Sequence, residues 1–368
     1  MFLITFTINI PSTTFPTLTR HYPHNIKNSA TNDIIIIKSP EDKTYTTPMA
    51  GYYPATYGFE NDEINNIPDE WENASNPNTD VKVVNGTGGH NKILYCYSSS
   101  SGSSYINLNN YPNPQVVGTI EFWLYKSSAY ESGPAIVQFF GEGGRLSFIN
   151  IDDNYRNSIR VRNGSSSVDI DVNYADDKWM HYQFMFNCTS DTFSLWVDGI
   201  QYLNNVDFED SQDITYFNRT QITSFDAANP VLYYVDAIGY SWDPNYNVGN
   251  NLKEGLLLSF ENKTILDWVG YSLDGQANKT ILGNTTIPMP ASGLHSIQIF
   301  GNDTLGTIHE SEVRYFSIGI ESNGGVIIII VSVAGSIVVL IVVVFIFLRK
   351  RRGKIAAPKR FTVKSKRE

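Results

Sequence analysis

Two stretches in the middle of the chain alternate between apolar and polar positions. Asp177–Cys188 reads DKWMHYQFMFNC, and Phe193–Gly199 reads FSLWVDG. An apolar residue at every second position is typical of a β-strand that has one face on a core. Asp198-Gly199 is a tight-turn pair that leads into a further strand. The sequence therefore predicts a hairpin with one face on a hydrophobic core, and most of its aromatic residues are predicted to be core.

The same pattern continues through most of the chain before residue 320. Aromatic residues make up 13% of the sequence, and short alternating runs recur between turn signals without a helical period. Further strands are predicted at Thr119–Tyr125, Ala135–Phe140, Arg145–Ile151, Ser158–Arg162, Ser167–Val172 and Val231–Tyr240. So many short strands predict an all-β region that contains a two-sheet sandwich.

The hairpin resembles the signature of the laminin-G-like, concanavalin A-like jelly-roll family, which runs Lys178-Trp179, then His181, then the turn at Val197–Gly199. Segments that resemble other strands of this family follow in the same order at Tyr57–Glu60, Ser104–Leu108, Gly118–Leu124 and Val235–Tyr240. The resemblance covers residues 51–247 and implies two stacked antiparallel sheets, with His181 as a structural residue. Members of this fold bind glycans, bind proteins or hydrolyse polysaccharides, so the fold alone does not define an activity.

Residues 253–320 form a second module with about five predicted strands. Trp268–Gln276 and Gly293–Asp303 resemble Ig-like repeats of prokaryotic, archaeal-type surface proteins. The apolar opening strand of such repeats is missing before Leu256, but it occurs at Ile34–Tyr45. We therefore predict that 33–48 and 253–320 form one Ig-like β-sandwich into which the jelly roll is inserted. Ile34–Ile37 should then pair with the strands of 256–318; the alternative is a linear tandem with a disordered N-terminus.

The apolar stretch 326–348 predicts one C-terminal transmembrane α-helix. It contains no charged residue, and at ~1.5 Å per residue it is long enough for a ~30 Å hydrocarbon core. Residues 349–368 carry ten basic residues and one acidic residue, which predicts a cytoplasmic tail in contact with membrane lipid and an N-terminus outside. In the N-terminal segment 1–30, Phe2–Ile10 fits the remnant of a signal peptide, although no basic residue precedes it.

Charge and modification signals agree with an extracellular location for the part of the chain that precedes the predicted span. The tail has a net charge of +9, which leaves −19 for the rest of a chain whose total is −10. This acidic balance argues against nucleic acid as a partner, so we predict none. Cys96 and Cys188 form either one disulfide or two buried thiols. Candidate glycosylation sites are Asn73, Asn85, Asn163, Asn187, Asn218, Asn262, Asn278, Asn284 and Asn302.

We assign no catalytic residue from the sequence. Asp169–Asn173 reads DIDVN, which is the nearest match to the acidic strand of glucanases on this fold. Asp and Asn fill both positions at which such enzymes carry Glu, so we predict a polar outer face rather than a degenerate hydrolase site. Zinc motifs, nucleophile elbows and phosphate loops are not recognisable.

Calcium is the one cofactor for which the sequence offers candidates. The candidate ligands are carboxylates in predicted loops, namely Asp152, Asp153, Glu209, Asp210 and Asp213. Acidic residues are also ordinary loop residues, so the alternative is no cofactor.

These features lead to one main hypothesis and two alternatives. The main hypothesis is a single-pass cell-surface adhesion or recognition protein whose lectin-like jelly roll binds an extracellular glycan or surface protein. The alternatives are a membrane-anchored glycoside hydrolase and a structural component of the cell envelope. Exposed aromatic residues would favour binding, and paired carboxylates about 5–10 Å apart in a groove would favour hydrolysis.

Overall fold

The computed structural model describes residues 34–46, 52–69, 71–73, 79–86, 90–99, 104–108, 111, 113–129, 133–151, 158–209, 214–224 and 229–319. Within these ranges, no helix has the length and apolarity needed to cross a membrane. The N-terminal segment 1–30, the predicted span 326–348 and the predicted tail 349–368 lie outside them and stay predictions.

Regular structure in the described residues is nearly all β-strand, apart from short turns such as the 3₁₀ helix Asn250–Leu252. In chain order the strands are β1 (Ile35–Ser39), β2 (Thr44–Thr46), β3 (Glu72–Asn73), β4 (Thr79–Asn85), β5 (Lys92–Ser98), β6 (Ser104–Leu108), β7 (Val117–Lys126), β8 (Ala135–Gly141), β9 (Gly144–Ile151), β10 (Ser158–Asn163), β11 (Ser166–Asp171), β12 (Trp179–Asn187), β13 (Thr192–Val197), β14 (Ile200–Asp207), β15 (Phe217–Ser224), β16 (Val231–Tyr240), β17 (Gly255–Asn262), β18 (Leu266–Leu273), β19 (Lys279–Ile281), β20 (Thr285–Pro288), β21 (Gly293–Asp303), β22 (Ile308–Glu310) and β23 (Arg314–Gly319).

Two antiparallel sheets of seven strands each form a sandwich from β3 to β16. Sheet 1 has the order β11-β10-β9-β8-β15-β6-β3, and sheet 2 has the order β14-β13-β12-β7-β16-β5-β4. Phe139 of β8 stacks on Phe184 of β12 across the interior, with ring centroids 3.9 Å apart. Tyr182, Phe184 and Phe186 are fully buried, so the predicted inner face of the hairpin and the two-sheet architecture are confirmed.

The turn after β13 is the tight turn that the sequence predicts. Asp198 and Gly199 both have positive φ, 47° and 78°, which is the backbone of a type I′ turn and explains the Asp-Gly pair. The Asp198 carboxylate also accepts a hydrogen bond from the backbone N–H of His181 at 2.9 Å. This bond ties the turn to β12 and helps to fix the hairpin register.

A second, separate core lies outside the jelly roll. It contains Ile35, Ile37 and Tyr45 from the beginning of the described chain, together with buried residues between Leu256 and Ile318. β1 pairs antiparallel with β17, and β2 pairs parallel with β23. The pairing predicted for Ile34–Ile37 is therefore present, and the jelly roll interrupts this second sandwich in sequence. Its resemblance to an archaeal-type Ig-like domain stays a prediction.

The two cysteines are free, buried thiols, so the disulfide alternative is wrong. Cys96 lies on β5 and Cys188 follows the end of β12, with β7 and β16 between these strands. At ~4.8 Å per strand, three steps already separate the two strands by roughly 14 Å, and the two residues also lie near opposite ends of sheet 2. A disulfide requires Cα atoms within about 7 Å. Burial raises the pKa of the Cys188 thiol to about 11.

The second sandwich should depend on β1 for its stability. Replacing the buried Ile35 by alanine removes core atoms, and we expect a loss of about 2–4 kcal/mol in its free energy of unfolding, measured by urea titration. Lys38→Ala, on the same strand, is the control. Lys38 forms an ion pair with the exposed Glu261 at 2.8 Å, so its loss should cost less than about 1 kcal/mol. Equal effects of both changes would contradict a structural role for β1.

Candidate functional site

Four aromatic side chains lie in one line across the outer face of sheet 2; we call them the aromatic row. They are Trp179 on β12, Tyr125 on β7, Tyr234 on β16 and Tyr95 on β5, at directly opposed positions. Each of the four residues is next to a core residue in its strand. Successive side chains of a strand point to opposite faces, so all four point outward. Consecutive ring centroids are 5.5, 5.5 and 5.8 Å apart.

The row is a corrugated surface rather than a flat platform. Consecutive ring planes are inclined by 54°, 61° and 61°, so faces and edges alternate along it. The three tyrosines are half-buried, and Trp179 is buried beneath its neighbours. The arrangement offers ring surface and phenol oxygens side by side, as at binding sites where one end of an aromatic residue is wet.

Charged residues border the row at both ends. At the β4 end, the ammonium of Lys82 lies 5.3 Å from the Tyr95 ring centroid and pairs with Asp80 at 2.6 Å. At the β12 end, Asp177 accepts hydrogen bonds from Tyr125 at 3.0 Å and from the backbone and hydroxyl of Ser128. The bonds from Ser128 lower the pKa of Asp177. Burial, reinforced by Asp177, raises the pKa of Tyr125 to about 12, so its hydroxyl stays protonated.

A histidine packs behind the Trp179 end of the row. The ring of His90 lies 3.8 Å from that of Trp179 and stacks on Tyr53 at 4.4 Å. Its Nδ1 lies 2.6 Å from a carboxylate oxygen of Asp236, which is buried. Burial raises the pKa of Asp236, and the hydrogen bond from His90 opposes that shift. The pair holds His90 against Trp179 and closes this side of the row.

A strap of residues 241–254 covers the next part of the same face. Asn251 of this strap is fully buried, and its amide accepts from His181 Nε2 at 2.9 Å and donates to the Ala237 carbonyl at 2.8 Å. His181 thus holds the strap to the sheet, which agrees with the structural role implied for it. Glu121 does the same, accepting hydrogen bonds from the Tyr246 hydroxyl and from the Gly249 N–H at 2.7 Å.

The acidic strand compared with glucanases lies elsewhere, on edge strand β11 of sheet 1. Asp169 is exposed and takes two hydrogen bonds from Arg160, at 2.7 and 3.0 Å, which lower its pKa. Asp171 is also exposed and accepts from the N–H of Asn173 at 3.1 Å. The structure therefore places this strand as a polar outer face at a sheet edge.

The calcium candidates are only partly within the described residues. Glu209 takes two hydrogen bonds from Arg145, at 2.5 and 2.7 Å, and lies 3.4 Å from Arg162. Two guanidinium groups thus occupy the carboxylate that was considered for calcium. Asp152, Asp153, Asp210 and Asp213 lie outside the described ranges. Among the residues that the structure describes, no cluster of three or more His, Cys, Asp or Glu side chains could hold a metal ion.

The nine predicted glycosylation sites are all within the described residues, and none is buried. Asn73, Asn85, Asn262 and Asn278 are exposed, whereas Asn163, Asn187, Asn218, Asn284 and Asn302 are half-buried. The amide oxygen of Asn284 accepts from the N–H of Phe260 at 2.9 Å, and a glycan joined to its amide nitrogen would leave that bond in place. Modification of all nine sites stays a prediction.

Comparison with known proteins agrees with the fold. Residues 100–228 match the family model of the concanavalin A-like lectin/glucanases superfamily. The sandwich of sheets 1 and 2 is therefore a concanavalin A-like jelly roll, as the sequence predicts. No curated protein sequence matches the chain significantly.

Several solved structures are similar to parts of this chain at low sequence identity. A sialidase is 12% identical over 55% of this chain and 19% of its own, with a TM-score of 0.42. A carbohydrate-binding module from Bacillus subtilis is 12% identical over 46% of this chain and 94% of its own, with a TM-score of 0.33. A structure from work on O-glycanases of human gut microbiota is 14% identical over 50% and 96%, with a TM-score of 0.38. At this identity the likeness concerns the fold alone.

The half-buried carboxyl of Glu60 should make stability depend on pH. Glu60 accepts a hydrogen bond from Asn91 at 2.6 Å, and burial raises its pKa from 4.5 to about 7. In the unfolded chain the Glu60 carboxyl ionises at a lower pH than in the folded protein. The stability that the protonated carboxyl gives to the fold is therefore complete below pH 4.5 and is lost as pH rises towards 7. We expect Glu60→Gln to be roughly 1–3 kcal/mol more stable than wild type at pH 8 and similar at pH 4.

Urea unfolding between pH 4 and pH 8 measures this effect. Glu63→Gln is the control, because Glu63 is an exposed carboxylate of the same loop. An identical pH profile for Glu60→Gln and wild type would contradict the assignment of a half-buried, proton-binding carboxyl.

Proposed function

We propose that the jelly roll binds glycans through the aromatic row and serves adhesion or recognition at the cell surface. The observation that supports this proposal is the register of sheet 2, which brings Trp179, Tyr125, Tyr234 and Tyr95 into one line. Four aromatic residues on one outer face are unusual for a surface that contacts only water, and such faces commonly mark binding sites.

The chemistry of the row suits a sugar chain. Sugar rings carry C–H groups on their faces and hydroxyl groups on their edges, so they pair with half-buried tyrosines that present ring surface and a phenol group. The polar ends of the row add directional partners, namely Lys82 with Asp80 at one end and Ser128 with Asp177 at the other. A mainly apolar surface with a few placed polar groups is the usual composition of a small-molecule site.

A binding role without catalysis fits the carboxylates around the row better than hydrolysis does. A glycosidase needs one carboxylic acid and one carboxylate facing the same bond. Here Asp80 pairs with Lys82, Asp177 with Ser128 and Asp236 with His90. Each of these acids has a partner that holds it, and Glu121 is sealed under the strap.

The predicted membrane anchor adds a cellular location to the proposal. The sequence predicts a single membrane span and a basic cytoplasmic tail, which would display the jelly roll outside the cell to an extracellular glycan or surface protein. The row itself needs no metal for this contact, so we expect binding to persist after calcium is removed with a chelator.

The proposal is tested by screening the full-length chain on a glycan array and measuring affinity for the best neutral oligosaccharide. Tyr234→Ala removes one of the two inner rings of the row, and Tyr95→Ala removes an outer one. Because a stacked aromatic ring contributes about 1–2 kcal/mol, we expect each change to weaken binding roughly 5- to 30-fold.

Tyr315→Ala is the matched control. Tyr315 is 46% exposed on β23 of the second sandwich, away from sheet 2, so its removal should leave affinity unchanged. Absence of binding to any glycan, or equal losses in Tyr234→Ala and Tyr315→Ala, would contradict the proposal. Chain cleavage of the bound glycan would instead support the hydrolase alternative.

A further inference from the structure

Sheet 1 carries an arginine in an open depression on the face opposite to the aromatic row. Arg219 on β15 lies directly across from Phe140 on β8, and its guanidinium carbon is 4.2 Å from the ring centroid. A depression of 410 Å³ is lined by these two residues together with Gly141 and Asn218. A cation is thus held against an aromatic face within a concave surface.

Arg219 differs from its arginine neighbours because it makes no ion pair and no side-chain hydrogen bond with the described residues. Its Nε is buried and has no partner. Arg145, in contrast, donates two hydrogen bonds to Glu209, and Arg162 lies 3.4 Å from the same carboxylate. Two guanidinium groups on this face therefore share a single glutamate, whereas the guanidinium of Arg219 contacts no acidic group of the described residues.

An unpaired guanidinium in a half-buried position is costly, because it loses water without gaining a partner. Native structures satisfy most buried polar atoms, so a buried N–H without an acceptor calls for an explanation. Glu142, which follows Gly141, has an exposed carboxylate that interacts with Tyr216 and raises the pKa of the Tyr216 hydroxyl. The depression thus offers a positive charge that no described acid neutralises.

We propose that this depression is a second binding site, which takes the carboxylate or sulfate group of an acidic sugar. A guanidinium presents two parallel N–H groups to such an oxyanion. Phe140 supplies an apolar surface for the sugar ring, and the Asn218 amide supplies a hydrogen-bonding group beside it. The depression lies within the size range of small-ligand sites. The proposal does not depend on the aromatic row, since the two sites lie on different sheets.

The test uses the full-length chain made in a host that does not glycosylate proteins, because Asn218 is itself a candidate glycosylation site. Glucuronate, glucose 6-sulfate, inorganic sulfate and glucose are titrated at constant ionic strength, and affinity is measured by calorimetry or by NMR. We expect the two acidic sugars to bind at least tenfold more tightly than glucose. Arg219→Gln should abolish that preference, and Arg219→Lys should retain part of it.

Arg160→Gln is the matched control, since Arg160 is an outer-face arginine of sheet 1 that is paired with Asp169. It should bind acidic sugars as wild type does, and so should Tyr234→Ala, which removes a residue of the aromatic row. Wild-type thermal stability in Arg219→Gln shows that the variant folds. Equal affinity for glucuronate, glucose 6-sulfate and glucose, or unchanged binding in Arg219→Gln, would overturn the proposal. Binding of inorganic sulfate without either sugar would overturn the acidic-sugar assignment.

Discussion

A one-residue slip of β12 against β7 would turn Tyr182 and Phe184 out of the core and bring Trp179 and His181 into it. The register is therefore fixed by burial, since each large apolar side chain contributes about 1.5–3 kcal/mol when it leaves water. The same register aligns the outward residues of β12, β7, β16 and β5. The aromatic row is thus a consequence of the packing of the core on the other side of the sheet.

The strap determines how much of that outer face stays open. Glu121, His181 and Asn251 are each fully buried, and their hydrogen bonds fasten residues 241–254 over one part of sheet 2. His90 and Asp236 close the adjoining part behind Trp179. Tyr125, Tyr234 and Tyr95 lie beyond these covers, so buried polar contacts define the boundary of the candidate site.

Period-two alternation was sufficient to predict the sandwich, the inner face of β12 and the turn at Asp198-Gly199. The resemblance to Ig-like repeats led to the pairing of Ile34–Ile37 with β17, because the opening strand missing before Leu256 could be located elsewhere in the sequence. The aromatic row could not be predicted, since it needs the register of strands as distant as Tyr95 and Tyr234. The sequence shows that each of the four aromatic residues occupies an outward position of its strand, but it does not show that the four positions are aligned across the sheet.

Other features that the sequence left open depend on contacts of the same long-range kind. Cys96 and Cys188 are kept apart by two intervening strands, and the partner of His181 lies 70 residues away at Asn251. The unpaired state of Arg219 is visible only once Glu209 is seen to bond Arg145 and to lie beside Arg162. The alternation within a strand therefore predicts which residues face the core. The candidate sites depend in addition on which strands lie side by side, and that is not visible in the sequence.

The most direct measurement is a crystal structure of the chain bound to the neutral oligosaccharide that it prefers. We expect sugar rings lying along Tyr125, Tyr234 and Tyr95, with hydroxyl groups near Lys82 or Ser128. Sugar bound only at the loops of the sandwich, or on the outer face of sheet 1, would contradict it.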